Sequence, residues 1–575
     1  MISLLTNHPL SAQVVTPPLP ISRDNPSGIN RRPIGPLTPK PPSTQPLPES
    51  APPTPLTPPG QLLPSTPSVP TPPQPPSEEL PDTITVERFE VIGSTVFSPE
   101  DFAKITQPYT QKPISIAELF QVRSKITELY LKKGYLTSGA YIPPQTLQTG
   151  VVKIQVVEGG LEAIQIIGTR RLRPSYIRSR LELATRKPLN RDRLLEALQL
   201  LQLNPLIQSI SADLSAGSRP GESLLQVRVT EAPTFDVQFA LDNSGAPSVG
   251  TNQRQIQLSE ANLLGLGDRL SANYANTNGS NTLDLSYTLP INPRNGTLSF
   301  NAGLAFSRVI QEPFDILDIE SQSRYLELEL RQPILQTPER EFALGIIGTQ
   351  RQSRTTLFNG EIPFPGRGAD PEGRTQITAL RFLQEATWRN RQEVVALRSQ
   401  LGVGLNALSS TINLEPPDSR FLAWQLQAQW VRLLAPETLM VMRGALQLSD
   451  RALLPVEQFA LGGLDSVRGY PQDLLLTDNG VFASAEVRVP ILRISQINGL
   501  LQLTPFIDFG RGWNVSGRFN PAPQTLVGTG LGLRFQLSDR LTARLDWGIP
   551  LVPFNLEKDN LQERGLYFSI VAYPF

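Results

Sequence analysis

Apolar and polar residues alternate in one stretch after another from Thr234 to the C-terminus. In residues 326–331 leucine alternates with glutamate and arginine, and in residues 422–430 leucine, alanine and tryptophan alternate mostly with glutamine. Because successive side chains of a strand point to opposite faces, this period of two predicts β-strands with one apolar and one polar face. We therefore predict that this part of the chain is all-β.

Two architectures fit such strands, a soluble sandwich and a membrane-spanning barrel. Three observations favour the barrel: no helix follows to cover the apolar faces, the polar faces are rich in Gln, Asn, Ser and charged residues, and aromatic residues (Tyr274, Trp430, Trp547, Tyr567) lie near strand ends, as in interfacial girdles. Residues 233–575 allow roughly 21 residues per strand and connection for ~16 strands. We predict an all-β transmembrane barrel of about 16 antiparallel strands.

The composition excludes several kinds of catalytic and metal site. The chain has no cysteine and one histidine, His8, which excludes disulfides, thiolate metal sites, Ser-His-Asp triads and multi-His zinc sites. Lys and Arg balance Asp and Glu at 52 each, so no global basic charge indicates nucleic acid. We expect no enzyme, no metal and no cofactor, although composition leaves a hydrolase with paired carboxylates open.

A glycine-rich stretch, Gly528-Thr-Gly-Leu-Gly532, superficially resembles a phosphate-binding loop. It lies inside a predicted strand, and no helix follows whose N-terminus would bind the phosphate. We therefore assign it no phosphate.

The N-terminal part, residues 1–82, is predicted to be a disordered linker. Proline is very dense from about Thr16 to Pro81, which removes amide donors and favours an extended polyproline-II spacer. The alternative is a docking site for a proline-binding module. Met1 to Gln13 lacks a basic segment and a long apolar core, although Leu10–Gln13 resembles the end of a signal peptide, so either the start is missing or mis-assigned, or this is a disordered end.

Residues 83–159 predict a small α+β unit, here called unit 1. Capping signals at Ser98 and Ser115 begin two helices, and Gly134 ends the second one. The predicted order is strand, helix, helix, strand, strand, with the strands at Thr83–Ile92, Tyr135–Ile142 and Val151–Val157.

Unit 1 is followed by a repeat of itself, unit 2, in residues 160–232. The stretches 89–93 and 152–158 of unit 1 are echoed by 164–168 and 225–231, roughly 75 residues later. A helix is predicted between the echoes, over Asn190–Leu203. Two matching ends at similar spacing indicate a tandem duplication.

The two units resemble POTRA domains, the periplasmic modules of outer-membrane translocators. Residues 134–145, Gly-Tyr-Leu-Thr-Ser-Gly-Ala-Tyr-Ile-Pro-Pro-Gln, are similar to the sequence in POTRA domains of two-partner secretion transporters. The resemblance implies an exposed strand edge and a groove between helix and strand, to which an extended client segment binds. The alternative is that the pair are spacers.

Two motifs in the barrel tract, Val467-Arg-Gly-Tyr470 and Phe506-Ile-Asp-Phe-Gly510, carry the candidate functional residues. In the second motif, Ile507 and Phe509 share one face of a strand. If that face contacts lipid, Asp508 points into the lumen, where an arginine on a glycine-flanked loop would meet it as a charge-assisted pair. Spacing alone leaves open that Arg468 and Asp508 are unrelated surface charges.

The first motif, preceded by Phe459-x-Leu-Gly-Gly463, resembles the inward-folded sixth loop of the two-partner secretion transporter (TpsB) family, and the second resembles its barrel-wall motif. The resemblance implies a lock between loop and wall in which Arg468 pairs with Asp508. The other residues that it assigns to this lock are Val467, Gly469, Tyr470, Phe506 and Gly510. The chain departs from the family at Met1–Leu19, which shows no convincing amphipathic helix of the kind that plugs the pore in many members.

The resemblance implies an outer-membrane transporter that captures a secreted partner polypeptide and conducts it unfolded to the cell surface, with its N-terminal domains in the periplasm. Outer-membrane lipid and the barrel-assembly machinery are the other expected partners, since Tyr573 and Phe575 resemble the signal by which such barrels are recognised. No nucleic-acid partner is expected. The alternatives are an insertase of the same superfamily, a passive porin and a soluble all-β enzyme with paired carboxylates.

Overall fold

The computed structural model describes residues 47, 58–63, 83–146, 150–219, 221–364, 366–515, 517–554 and 559–574. Two small α/β units come first, and a closed barrel follows.

A short part of the proline-rich tract is ordered against unit 2. Residues Pro59–Leu62 form one helical turn, α1, and Leu62 and Leu63 are buried in the hydrophobic core of unit 2. At this point the structure departs from the prediction of a tract without helix. Proline is tolerated in the first turn of a helix, and the two leucines gain apolar burial there.

Unit 1 has the predicted order of elements, with an additional strand pair at its edge. Its three-stranded sheet runs β2-β5-β4, with β2 parallel and β4 antiparallel to β5, while β1 pairs with β3. Ser98 and Ser115 form capping boxes at the starts of the two helices, as predicted. The elements are β1 Thr83–Val86, β2 Arg88–Ile92, α2 Pro99–Thr106, β3 Lys112–Ser115, α3 Ile116–Lys132, β4 Gly139–Tyr141 and β5 Val151–Val157.

Unit 2 repeats this topology, with a sheet in the order β6-β8-β7. Strand β6 is parallel and β7 antiparallel to β8, so β6, β8 and β7 correspond to β2, β5 and β4. Asn190 caps α5, whereas α4 and β7 were not predicted from the sequence. The elements are β6 Gly160–Ile167, α4 Pro174–Ala184, α5 Arg191–Gln202, β7 Ile207–Ala216 and β8 Glu222–Glu231.

The residues that recur between the units perform the same structural task. Gly93 and Gly168 have φ values of +90° and +91°, and a Cβ at either would lie within 2.6 Å of a backbone oxygen of the neighbouring strand. Glu158 accepts backbone hydrogen bonds from residues 95 and 96, and Glu231 from residues 170, 171 and 172. Burial opposes ionisation of Glu231, but these hydrogen bonds outweigh it and lower the pKa of its carboxyl.

Among the described residues, sixteen antiparallel strands form a barrel, as predicted. The barrel is closed by pairing of its last strand, β27, with its first strand, β9. The short β16 extends one edge of β15, and β21 and β22 form a separate hairpin. The strands are β9 Phe235–Asp242, β10 Gln253–Ala261, β11 Arg269–Asn276, β12 Ser280–Pro290, β13 Thr297–Arg308, β14 Glu320–Gln336, β15 Arg340–Leu357, β16 Ile362–Pro363, β17 Arg374–Arg389, β18 Glu393–Leu405, β19 Leu422–Ala435, β20 Thr438–Ser449, β21 Phe459–Leu461, β22 Leu475–Thr477, β23 Asn479–Ile494, β24 Gly499–Trp513, β25 Thr525–Leu537, β26 Leu541–Pro550 and β27 Leu566–Ala572.

The two faces of the barrel wall decide between the two architectures that the alternation allowed. On β14 the outward leucines 326, 328 and 330 are 45–52% exposed, whereas the inward Glu327 is 1% exposed. A soluble protein places such residues the other way round, and lipid is the surrounding that accepts a continuous apolar exterior. The strands therefore belong to a membrane barrel.

Unit 2 contacts the end of the barrel at which the connections between strands are short. Arg171 forms an ion pair with Glu260, and the Nε of Arg180 donates to the Oδ1 of Asn295 in the turn between β12 and β13. The backbone N–H of Arg173 donates to the carbonyl of Gly265. Among the described residues, no helix is both long and apolar enough to cross a membrane.

Candidate functional site

The connection between β20 and β23, residues 450–478, returns into the barrel and is here called the inner loop. Its hairpin of β21 and β22 lies against β23 and β24. Its apolar side chains form a buried cluster with side chains of the wall, made of Leu461, Val467, Tyr470, Leu474, Leu475, Phe482 and Leu526. The loop thus has a packed position inside the barrel.

The structure brings Arg468 at the tip of this loop against Asp508 of β24. Nε and Nη2 of Arg468 donate to the two carboxylate oxygens of Asp508 at 2.7 and 2.9 Å, and the backbone N–H of Arg468 donates to Oδ2 at 3.1 Å. Both side chains are fully buried. Ile507 and Phe509 face outward, 54% and 39% exposed, so the strand has the orientation that the motif required. Three hydrogen bonds to one carboxylate fix both the guanidinium and its backbone.

Two further carboxylates, which no motif in the sequence indicates, also contact Arg468. Nη1 of Arg468 donates to Glu486 of β23 at 2.7 Å and to Asp546 of β26 at 3.2 Å. Glu486 also pairs with Arg488 and Arg544. Among the described residues, three arginines thus contact three carboxylates, and these opposite charges lower the cost of burying the group.

The sequence shows Glu486 and Asp546 only as polar residues at inward positions of predicted strands, and it does not show that they contact Arg468. Strand register decides which of the many inward residues meet: Ser484, which donates to Asp508, lies directly opposite it, and Glu486 lies opposite Phe506. No local motif contains that register.

Phe506 and Gly510, the other residues of the wall motif, also contact the loop. The Phe506 ring lies under the guanidinium of Arg468, with 3.4 Å between Cζ and the ring centroid, which is a cation–π contact. A Cβ at Gly510 would lie 2.8 Å from a methyl group of Val467. On β24, Phe506 and Asp508 therefore contact Arg468, and Gly510 leaves space for Val467.

Gly469 and Tyr470 are held by the last strand of the barrel. Gly469 has a φ of +101°, and its N–H donates to Tyr567 Oη at 2.8 Å, while the same hydroxyl donates to the carbonyl of Tyr470 at 2.7 Å. The Tyr470 hydroxyl accepts the backbone N–H of Val552 at 3.1 Å. The prediction that Tyr567 belongs to an interfacial girdle is wrong, because this side chain is fully buried and holds the loop.

A second ion pair, also missed in the sequence, anchors the beginning of the inner loop. Glu457, in the 3₁₀ turn Pro455–Glu457, accepts from Arg381 Nη2 with both oxygens, at 2.8 and 2.9 Å, and from Arg351 Nη1 at 3.1 Å. All three side chains are buried. Arg351 and Arg381 lie on β15 and β17, far around the barrel from β23–β27, so the loop is fixed at two separate parts of the wall.

Tyr573 lies just after β27, and its N–H donates to the carbonyl of Arg540 at 2.7 Å. Phe575 lies outside the described residues, so the insertion signal stays a prediction.

Comparison with known proteins gives one family. Residues 221–535 match the family model described as haemolysin secretion/activation protein ShlB/FhaC/HecB, and residues 84–159 match the model of the POTRA domain, ShlB-type. The chain is 26% identical over 514 residues to the outer membrane transporter CdiB of Escherichia coli O6:K15:H31 (strain 536 / UPEC), covering 83% of this chain and 81% of the relative.

It is also 22% identical over 426 residues to the heme/hemopexin transporter protein HuxB of Haemophilus influenzae, covering 72% of this chain and 73% of the relative. The solved structure of CdiB from Escherichia coli has the same fold, with a TM-score of 0.65 and 21% identity over 88% of this chain and 92% of that chain.

Proposed function

The chain belongs to the haemolysin secretion/activation protein family ShlB/FhaC/HecB, and from this we propose how it captures a secreted partner polypeptide and conducts it through the barrel. It is an outer-membrane transporter of the two-partner secretion type, with its POTRA domains in the periplasm. We propose the domain limits 83–159, 160–232 and 233–575 for the two POTRA domains and the barrel.

Capture of the partner begins at the sheet edges of the POTRA domains. Strands β2 and β4 are the edges of the unit 1 sheet, and β6 and β7 are those of unit 2. An extended polypeptide adds backbone hydrogen bonds to such an edge without demanding one sequence. This suits a transporter that receives its partner unfolded.

The partner then passes through the barrel, whose inner wall is polar and charged. The observation that carries this proposal is the buried set of hydrogen bonds between Arg468 and Asp508, Glu486 and Asp546. We propose that these bonds hold the inner loop in one position, which is required for conduction. The chain breaks no covalent bond and acts as a conduit, not as an enzyme, and folding of the partner outside disfavours its return.

Two further partners follow from the barrel surface. The exposed apolar residues of the outer wall, such as the leucines of β14, suit the acyl chains of outer-membrane lipid. We propose that the barrel-assembly machinery recognises the last strand, through the pattern that includes Tyr573 and Phe575.

The test begins with a search of the neighbouring reading frames for one that encodes a large, repeat-rich secreted protein, which is then the candidate partner. The two proteins are produced together in a host that lacks both, and the amount of the partner in the medium is measured with and without the transporter. Export that depends on the transporter supports the proposal. A partner left in the outer membrane instead indicates an insertase, and steady ion conductance with no effect on export indicates a porin.

A further inference from the structure

The ordered segment Pro58–Leu63 fills a groove in unit 2. Helix α1 contacts α5 and the edge strand β7. Leu62 is 1% and Leu63 is 7% exposed, while Gly60 and Gln61 are exposed. The two leucines belong to the same buried cluster as Leu194, Leu198 and Leu201 of α5 and Ile207, Ile210 and Leu214 of β7.

The groove exists because unit 2 fills its own core with smaller side chains than unit 1 does. The core of unit 1 contains Phe102 and Tyr130 in edge-to-face contacts with Phe97. In the corresponding cluster of unit 2 the buried side chains are aliphatic, and Tyr176 packs against it only in part. Leu62 and Leu63 fill apolar volume that the other side chains of unit 2 leave empty, and this closer packing stabilises the folded unit.

The side chains of Leu62 and Leu63 pack against unit 2, and in the described part of the chain the backbone hydrogen bonds of the segment lie within its own helical turn. Among the described residues, the backbone N–H groups of Gln61 and Leu62 donate to the carbonyl of Pro58 and to no atom of unit 2. Leu62 and Leu63 make apolar contacts in the groove, and another apolar pair of similar size would make the same contacts. The strand beside it, β7, is one of the sheet edges to which the proposed function assigns the extended client segment.

We propose that the groove between α5 and β7 is a binding site for a pair of adjacent apolar side chains, and that Leu62 and Leu63 occupy it in the resting chain. The secreted partner reaches this groove only by displacing them, a step that rests on the proposed function.

The first experiment measures whether the leucines are docked. The chain has no cysteine, so Leu62→Cys and Gln61→Cys each introduce one thiol into the full-length protein. We expect the thiol at position 62 to react with a maleimide at least about tenfold more slowly than the exposed thiol at 61, a difference of about 1.4 kcal/mol in protection. Equal rates would overturn the docking.

The second experiment measures whether the groove binds such a pair from outside. A fluorescent peptide with the sequence of residues 55–66 is added to the full-length Leu62→Ser/Leu63→Ser variant and to the wild type. A tethered segment competes at an effective concentration of about millimolar. We therefore expect the peptide to bind at least about tenfold more tightly to the variant, and a peptide with both leucines replaced by serine to bind neither. Absence of binding to the variant, with the thiol at 62 protected, would mean that the leucines are permanent core and would overturn the exchangeable site.

The displacement step has its own readout, separate from the proposed function. Once export of a partner is measured, a purified N-terminal fragment of that partner is added to the Leu62→Cys protein, and labelling at 62 should accelerate. Unchanged labelling alongside intact export overturns displacement alone. If no partner is exported but the thiol at 62 is protected and the variant binds the peptide, the proposed function is overturned and the binding site in the groove is supported.

Discussion

Gly528 of β25 lies directly against the backbone of Arg468, so that a Cβ at position 528 would be 1.9 Å from the carbonyl oxygen of Arg468. Gly548 of β26 makes the same kind of approach, with a Cβ position 2.5 Å from the N of Gly469. Two glycines of the wall thus leave room for the loop tip. Gly528, the first glycine of the stretch that resembles a phosphate-binding loop, thus leaves space for the inner loop.

Gly528→Ala is expected to displace the tip of the inner loop and to reduce export strongly. A methyl group needs about 3 Å or more to a backbone oxygen, so the loop must move by more than about 1 Å, and such overpacking costs about 1–3 kcal/mol. Export of the partner is measured together with the amount of inserted barrel. Gly348→Ala is the matched control, because a Cβ on this barrel glycine meets nothing within 4 Å.

Arg468→Ala is expected to abolish export while the barrel stays inserted. Removal of one partner of a buried ion pair costs about 3–5 kcal/mol, which lowers the occupancy of the held loop by more than about a hundredfold. The control is Arg451→Ala, on the same loop, whose partner Asp450 is exposed; a surface pair contributes about 0–1 kcal/mol. Export by Arg468→Ala at the wild-type level would remove the role of the lock.

Glu486→Gln is expected to destabilise the barrel more than Asp508→Asn does. Glu486 contacts Arg468, Arg488 and Arg544, whereas Asp508 contacts Arg468 alone among the arginines of the described residues. Loss of the Glu486 charge takes a carboxylate partner from all three arginines, whereas loss of the Asp508 charge takes one only from Arg468. Urea unfolding in detergent measures the two variants against the wild type. If Asp508→Asn unfolds at the lower urea concentration, Glu486 is not the centre of the charge balance.

Glu457→Gln is expected to release the beginning of the inner loop while its tip stays locked. The substitution leaves Arg351 and Arg381 without the carboxylate that they share, at a cost of about 3–5 kcal/mol. A thiol introduced by Leu454→Cys, at a position 1% exposed, reports the release as at least about tenfold faster labelling by a maleimide. Arg451→Gln in the same reporter background should leave the labelling rate unchanged, and equal rates in both variants would show that Glu457 does not anchor the loop.

Local sequence was sufficient wherever one residue and its near neighbours fix the outcome. The capping boxes at Ser98 and Ser115 and the cap at Asn190 begin helices because the side chain satisfies an amide within three residues. The alternation in β14 separated the leucines from Glu327 before any strand pairing was known. The wall motif placed Asp508 inward because Ile507 and Phe509 are its immediate neighbours.

By itself, therefore, the sequence determined a chain of two repeated α/β units and a barrel of amphipathic strands, because the period of side chains along a strand or helix is a local property. Only the tertiary structure decided that Glu486, Asp546 and Tyr567 meet Arg468, that Glu457 meets Arg351 and Arg381, and that Leu62 and Leu63 enter unit 2. Those contacts depend on strand register, closure of the barrel and the course of a loop through its interior. Each of these brings together residues that are far apart in the chain, and no local sequence pattern predicts such a contact.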